Sequence, residues 1–278
     1  MAEIGLTETG ASSAELVANL VLATLKEKSL LMGTLTDYSS FAVKGAASVD
    51  VIRRDQFSAA DKTENTGLTA QEMTFAKDTI ALSKHKAILA SVEKIAELQA
   101  TVNVTAEVLM EMSAELALQL DKDLYVELQL ASAAAPDHRI AYAGASLAEV
   151  DILEARKLLN VANVPMEDRF LLIDPTQEES MLGITNFIQA QTYGSSAALV
   201  NGELGKVFGF KVLMSTIVDP LKVIAYHKSS VGFALQQAPD YQTQPDLAKL
   251  SVLHSLDWIY GAKVLDGGKR NVMVGTAA

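Results

Sequence analysis

"NGELGKVFGFKVLMS", residues 201–215, sets glycines at 202, 205 and 209 ahead of a run that alternates as a strand does. Its reading separates a nucleotide enzyme with a phosphate-cradling loop from a protein with a bent pair of strands. The dinucleotide fingerprint needs glycines at spacing two then three, between a strand and a helix. Here the spacing is three then four, and a strand follows. A Walker loop would need glycine five residues before Gly205-Lys206 and Ser or Thr after it; Val200 and Val207 stand there. Neither template fits. Asn201-Gly202 reads instead as a turn, and Gly209 as a place where a strand bends or bulges.

Composition narrows the classes further. The chain has 278 residues, is 49% hydrophobic and contains a single Trp. Its mean hydropathy is +0.19. The longest apolar run, "AELVANLVLATL" (14–25), is interrupted by Asn19 and closed by Lys26-Glu27-Lys28, too short to span a bilayer. Glu3 and Glu8 precede it with no basic residue, which is not the pattern of a signal peptide. An amphipathic helix in a cytoplasmic protein with no membrane partner is expected, its apolar excess covered by other subunits. The absence of cysteine excludes thiol catalysis, disulfides and Cys-based zinc sites. A net charge of −11 disfavours tight binding to nucleic acid, which needs clustered Lys and Arg. It suits a wall standing close to nucleic acid.

Working outward along the chain, residues 14–32 predict a helix with Leu16, Leu20, Ala23 and Leu30 near one stripe. Period two takes over at 39–57 (Phe41, Val43, then Ala47, Val49, Val51) and returns at Met73, Phe75, Ile80 and Leu82. Between them "FSAADKTENTGLTAQE" (57–72) is polar and unpatterned, which predicts a protruding hairpin with a long tip. From about 90 the apolar positions Val92, Ile95, Val102, Ala106, Leu109, Met112, Leu116, Leu120 and Leu124 follow helical spacing, and no Pro or Gly interrupts 91–130. A continuous helix of that length would reach roughly 55 Å. Capping boxes are expected at Ser146 with Glu149 and at Thr176 with Glu179, on either side of a buried strand, "RFLLID" (169–174). Strands are expected at 206–208, 210–216, 222–227 and 231–236. A Pro- and Gln-rich linker (236–245) and a final hairpin, 260–265 with 271–274 turned by "DGGKR", complete the chain.

Chemistry-bearing constellations are sparse. His85, His138, His227 and His254 lie outside ligand spacing of one another and read as surface or interface residues. "GASLA" (144–148) and "GSSAA" (194–198) lack the second glycine of a nucleophile elbow. Glu107, Glu111 and Glu115 form a carboxylate row along the long helix, with no Glu-x-x-His beside it to suggest a di-metal site. A solvated face is one reading of the row. The other is a contact with basic residues of a neighbouring subunit, with Arg53, Arg54 and Lys62 as the candidates. No catalytic, cofactor or metal residue is assigned.

The order of several segments is similar to that of tailed-phage major capsid proteins. "RKLLNVANVPMEDRFLLIDPTQ" (156–177) resembles the start of that family's axial domain, and Gly205, Gly209, Phe210, Val212 and Ser215 match its Gly-x-x-x-Gly-Phe-x-Val-x-x-Ser strand pair. "AYHKSSVGFALQQ" (225–237) and "YGAKVL" (260–265) resemble its later strands. The resemblance implies an α+β fold of the Hong Kong 97 type. Its parts would be an N-terminal arm (1–38), an extended loop (39–89), a peripheral domain with the spine helix (90–140), an axial domain (141–240) and the peripheral domain's C-terminal strands (241–278). It further implies a non-enzymatic shell subunit of a virion, assembled in the host cytoplasm into hexamers and pentamers of an icosahedral or prolate capsid around double-stranded DNA. Because the spine helix is expected near 90, little room is left for an N-terminal scaffolding segment, and a separate scaffolding protein is expected. A portal protein is a further expected partner, and a decoration protein is left open. The alternatives are an encapsulin-like nanocompartment shell and an α/β enzyme without a recognisable site.

Overall fold

The computed structural model describes residues 29–54, 57–65, 67–99, 104–142, 147–182 and 205–275. Residues 14–28 of the helix expected over 14–32, the cap at Ser146 and the turn at Asn201-Gly202 lie outside them; the last four residues of that expected helix are described, and form a turn leading into a 3-10 helix at Met32–Thr34.

The most apolar runs form the centre. β6 (Arg169–Ile173) and β9 (Lys222–His227) are adjacent antiparallel strands, and both of their faces are covered. Period two then sends alternate side chains into different cores. Phe170, Leu172, Ile224 and Tyr226 pack on one side, with Leu116, Leu120, Leu124, Phe233, Trp258 and Tyr260. Leu171, Ile173, Val223 and Ala225 pack on the other, with Ile152, Ala155, Leu159 and Phe210. Around this pair the sheet runs β5 (Arg139–Ile140), β12 (Asn271–Gly275), β9, β6, β8 (Phe210–Met214), β7 (Lys206–Val207). The glycine stretch is answered here: β7 and β8 pair through Val207 and Phe210, so Phe208 and Gly209 form a two-residue hairpin turn. Both have positive φ (48° and 92°), the geometry of a type I′ turn.

The helix α3 (Glu149–Val161) covers one face of that sheet. Its N-cap is Ala148, whose N–H is held by the Asp151 carboxylate at 2.9 Å. Glu149 is already inside the helix, so the expected Ser146–Glu149 box is displaced. α4 (Pro175–Leu182) starts two residues earlier than a cap at Thr176 would place it. Proline takes the first helical position, where no N–H is needed, and Asp174 caps, accepting from Thr176 N at 3.1 Å.

A second sheet runs β1 (Thr36–Asp37), β10 (Val231–Asp246), β11 (Ser251–Val264), β4 (Lys84–Glu93). The long helix α2 (Val104–Leu128) lies on it, about 37 Å from end to end. The helix expected over 91–130 does not begin at 91. Residues 84–93 alternate strictly between more and less exposed positions and pair with β11. Val92 fits both periods, and the sheet captures it. The short helix α1 (Lys94–Gln99) follows β4.

Two expectations about the C-terminal region fail. The supposed linker 236–245 is strand, because β10 pairs with β11 as far as Asp246. Pro239 is accommodated where the register slips between Gln237 and Asp240, and β1 borders β10 only at Gly232 and Phe233. Further out β10 is an edge, where proline is tolerated. Nor do 260–265 and 271–274 pair. Asp266–Gly268 forms a 3-10 turn, after which β12 enters the other sheet beside β9 and β5. Asn271 fixes that crossing by donating its side-chain amide to Leu128 O (2.7 Å) at the end of α2.

Of the four histidines expected at the surface or an interface, His85 is exposed and the other three differ. His138 and His254 are buried, bonded to Asn271 O (3.0 Å) and Tyr241 Oη (2.7 Å). His227 is half-buried, and its Nδ1 accepts from Ser229 N at 3.1 Å.

Candidate functional site: the arm and its root

β2 (Ser48–Arg54) and β3 (Phe75–Ala81) pair only with each other, Ser48 opposite Ala81 and Arg54 opposite Phe75. Each is about 20 Å long. The polar segment between them carries no regular structure, and every described residue from 57 to 75 is exposed. Near its start the Gln71 side chain bridges the strands, accepting from Ser58 N (3.0 Å) and donating to Ser58 O (2.7 Å). The amide of one side chain thus replaces a backbone ladder pair. Farther out, Glu64 and Asn65 make the turn, Asn65 with φ 62°.

The body-facing stripe of this hairpin changes character along its length. At the root, Val49, Ile80 and Leu82 are buried with Ala42 and Ala234, and Val51 packs at the margin. The floor beneath them lacks side chains. A Cβ on Gly261 would lie 2.1 Å from Ala81 O, and one on Gly232 would lie 2.8 Å from the Tyr38 ring. Two strand glycines in β10 and β11 therefore form the trough in which the arm is seated.

The next body-facing pair is charged. Arg53 Nε donates to Asp78 at 2.8 Å, and Arg53 also pairs with Asp266. Asp78 accepts from Asp266 N (2.9 Å), and Arg270 approaches Asp266 at 3.3 Å. This network ties the arm to the turn between β11 and β12. On the opposite face Asp50 meets Lys77 (2.8 Å) and Thr79 (2.8 Å), which hold its carboxyl below the usual range. Beyond these contacts large apolar side chains stand in the open: Ile52 and Phe75 on the strands, Phe57, Leu68 and Met73 on the tip.

The structure places the sequence-predicted contact residues as follows. Arg53 is engaged within its own chain, because it falls on the body-facing stripe. Arg54 points the other way and is exposed. Lys62 lies on the tip, with Nζ 3.2 Å from Thr63 O. Glu107, Glu111 and Glu115 are exposed on α2, and none is brought near Arg53 or Arg54 by an ion pair within the chain. Sequence reading missed Gly232, Gly261, Asp78, Asp266 and Gln71. A glycine inside an otherwise regular strand run was the available signal for the first two.

A family model described as phage capsid protein matches residues 58–270. The chain belongs to this family. No curated protein matches it. Among solved structures, one from Mycobacterium phage Che8 has 19% identity and a TM-score of 0.72, covering 88% of this chain and 90% of that one. The capsid of the cyanophage P-SCSP1u has 15% identity and a TM-score of 0.75, covering 90% and 88%. The capsid of a native GTA particle has 13% identity and a TM-score of 0.66, covering 89% and 90%. The phage capsid protein thus has the Hong Kong 97-like fold and is a structural shell subunit of the virion. β2 with β3, and α2, lie within the ranges where the sequence reading expects the extended loop and the spine helix. Among the described residues no group of His, Asp and Glu is arranged to hold a metal, and no helix is long and apolar enough to cross a membrane.

Proposed function

We propose that the subunit assembles into hexamers and pentamers of a closed shell around double-stranded DNA, each arm lying across the adjacent subunit. One observation carries this reading: a hairpin anchored firmly at its root holds Ile52, Phe57, Leu68, Met73 and Phe75 away from its own body. Ordering such a tip costs about 1–2 kcal/mol per residue in backbone entropy, and a lone two-stranded ribbon does not recover it. A neighbouring copy supplies the missing burial. Arg54 and Lys62 of that copy meet the carboxylate row Glu107, Glu111 and Glu115, giving the contact a polar rim. The charge of −11 lets DNA be packed near the wall without being bound tightly to it. Assembly on a separate scaffolding protein in the host cytoplasm, with a portal at one vertex, completes the proposal.

The test replaces residues 58–70 by Asn-Gly. Among the described residues no buried side chain is removed, so thermal unfolding of the free subunit should hardly change, while electron microscopy should show no closed shells. Normal shells of unchanged stability from the shortened chain would refute the proposal.

A further inference from the structure

Beside the root of the arm, four stretches of the chain meet around a recess of about 630 Å³. They are the end of β2 (52–54), the loop after α3 (162–165), Ser229 in the turn after β9, and Asp266 with Arg270 around the turn after β11. Its charges do not cancel. Arg53 and Arg270 share the carboxylates of Asp78 and Asp266, two guanidinium groups against two anions. Arg54 borders the recess, is exposed, and stands outside that balance. So does Arg169, behind the wall. It is 3% exposed, yet the acceptors it meets are neutral: Pro165 O (2.8 Å), Val164 O (2.6 Å) and Asn160 Oδ1 (2.9 Å). Buried charges are ordinarily paired with an opposite charge, and among the described residues Arg169 forms no ion pair.

In a chain of net charge −11 this is a local reversal of sign. His227, next to Ser229 in the same turn, registers it: burial, then Arg270 and Arg169, hold its imidazole below the ordinary value. The groups on the wall also define what would fit. Val164 O and Pro165 O, which would otherwise repel an anion, are occupied by Arg169. Ser229 Oγ accepts from Arg270 Nη1 (2.7 Å) and meets His227 Nδ1 (2.8 Å), so it too is engaged. The guanidinium N–H groups and the Asn163 amide remain as donors. Guanidinium forks match phosphate oxygens two at a time. By the volume of liquid water the recess would hold about twenty molecules, more than one phosphate needs and enough for a short chain of them. A duplex would press its charge against the acidic surface around the recess, whereas a small ion enters alone.

We propose that this recess binds a small polyphosphate anion, of which diphosphate is the simplest, between Arg54, Arg270 and Asn163. Bound there, the ion ties the arm at Arg54 to the start of β12 at Arg270 and to the loop after α3 at Asn163. It adds a second brace to the arm beside the Arg53–Asp78–Asp266 network.

The test titrates diphosphate into the unassembled full chain, against sodium chloride at equal ionic strength, and follows binding by calorimetry and phosphorus NMR. Saturable binding of one ion per subunit is expected. Arg54→Gln and Arg270→Gln should each weaken it at least tenfold, the loss of one charge-assisted contact. Lys249→Gln, on the exposed turn between β10 and β11, should leave it unchanged. Arg270→Gln also removes bonds to Asp266 and Ser229, so Arg54→Gln, on an exposed side chain, is the cleaner variant. Hydrogen exchange should slow around 52–54 and 162–164 when the ion is added. No saturation beyond the chloride control would overturn the proposal, as would binding that both arginine variants leave intact, or exchange unchanged at those two stretches. A short DNA duplex is the second arm: binding tighter than that of diphosphate and lost in the same variants would assign the site to a nucleic-acid backbone and overturn the small ligand. The neighbour's carboxylates proposed for Arg54 are absent from the unassembled subunit, so this result stands apart from shell formation.

Discussion

Replacing Gly261 by Ala adds one methyl group at the place where the arm crosses the sheet. That carbon would lie 2.1 Å from Ala81 O, 2.9 Å from Ala81 C and 3.3 Å from Ile80 Cγ2. An ordinary carbon–oxygen contact needs about 3.3 Å, so β3 must retreat by roughly 1 Å. It is poorly placed to do so. Leu82 N donates to Ala47 O at 3.0 Å, and Asp78 is held by Arg53 and by Asp266 N. Overpacking costs about 1–3 kcal/mol, and a backbone obstacle puts this case near the top of that range. If the root yields locally, about 3 kcal/mol lowers the exchange protection of the amides joining β2 and β3 by roughly two orders of magnitude. If it resists, the subunit melts roughly 6 °C lower. Hydrogen exchange with mass spectrometry, run beside a thermal melt, distinguishes the two. Gly67→Ala on the tip, where nothing lies within 4 Å, should stay within about 0.5 kcal/mol of the parent. Unchanged protection and melting in Gly261→Ala would refute the seating of the arm in a glycine trough.

Two further outcomes are expected. His227 is held below the ordinary imidazole value by burial and then by the charges of Arg270 and Arg169, and its Nδ1 is needed as an acceptor. The unfolded chain therefore takes up this proton first as pH falls below about 6.5, and stability declines towards the folded value; His227→Gln should flatten that part of a melting-temperature profile. Tyr260 Oη donates to the Asp123 carboxylate at 2.5 Å, with the Nζ atoms of Lys84 and Lys86 at 3.5 and 3.8 Å. Tyr260→Phe should cost about 1.5–3 kcal/mol in urea unfolding, and a cost near zero would show that the lysines and water satisfy Asp123 without it.

The parts legible in the sequence were those governed by one local period. The runs at 169–174 and 222–227 are strands with two buried faces, and 48–54 with 75–81 are the arms of a hairpin around an exposed polar tip. Where periods overlap, pairing decided. Val92 fits a helix as well as a strand, and only the neighbouring β11 settles it. The tail misled for a related reason. "DGGKR" has turn chemistry, but a turn residue does not say whether the chain comes back to the same sheet or crosses to another. Here Asn271 closes the end of α2 and carries β12 across. At the arm, Arg53 and Arg54 are equivalent as letters, and only the pleat gives one an internal ion pair and leaves the other exposed.

The graded stripe of the arm has a mechanical consequence. It behaves as a cantilever whose stiffness falls along its length: clamped by apolar packing at Val49 and Ile80, braced by charge at Arg53 and Asp78, and free from Phe57 outward. Bending therefore concentrates in the outer half, while the clamp transmits little of it to the body. Identical chains can then reach neighbours set at different angles, as five-fold and six-fold surroundings in the proposed shell require, without repacking either core. The allowance for unequal neighbours resides in the polar tip, and the shape of the subunit body stays constant.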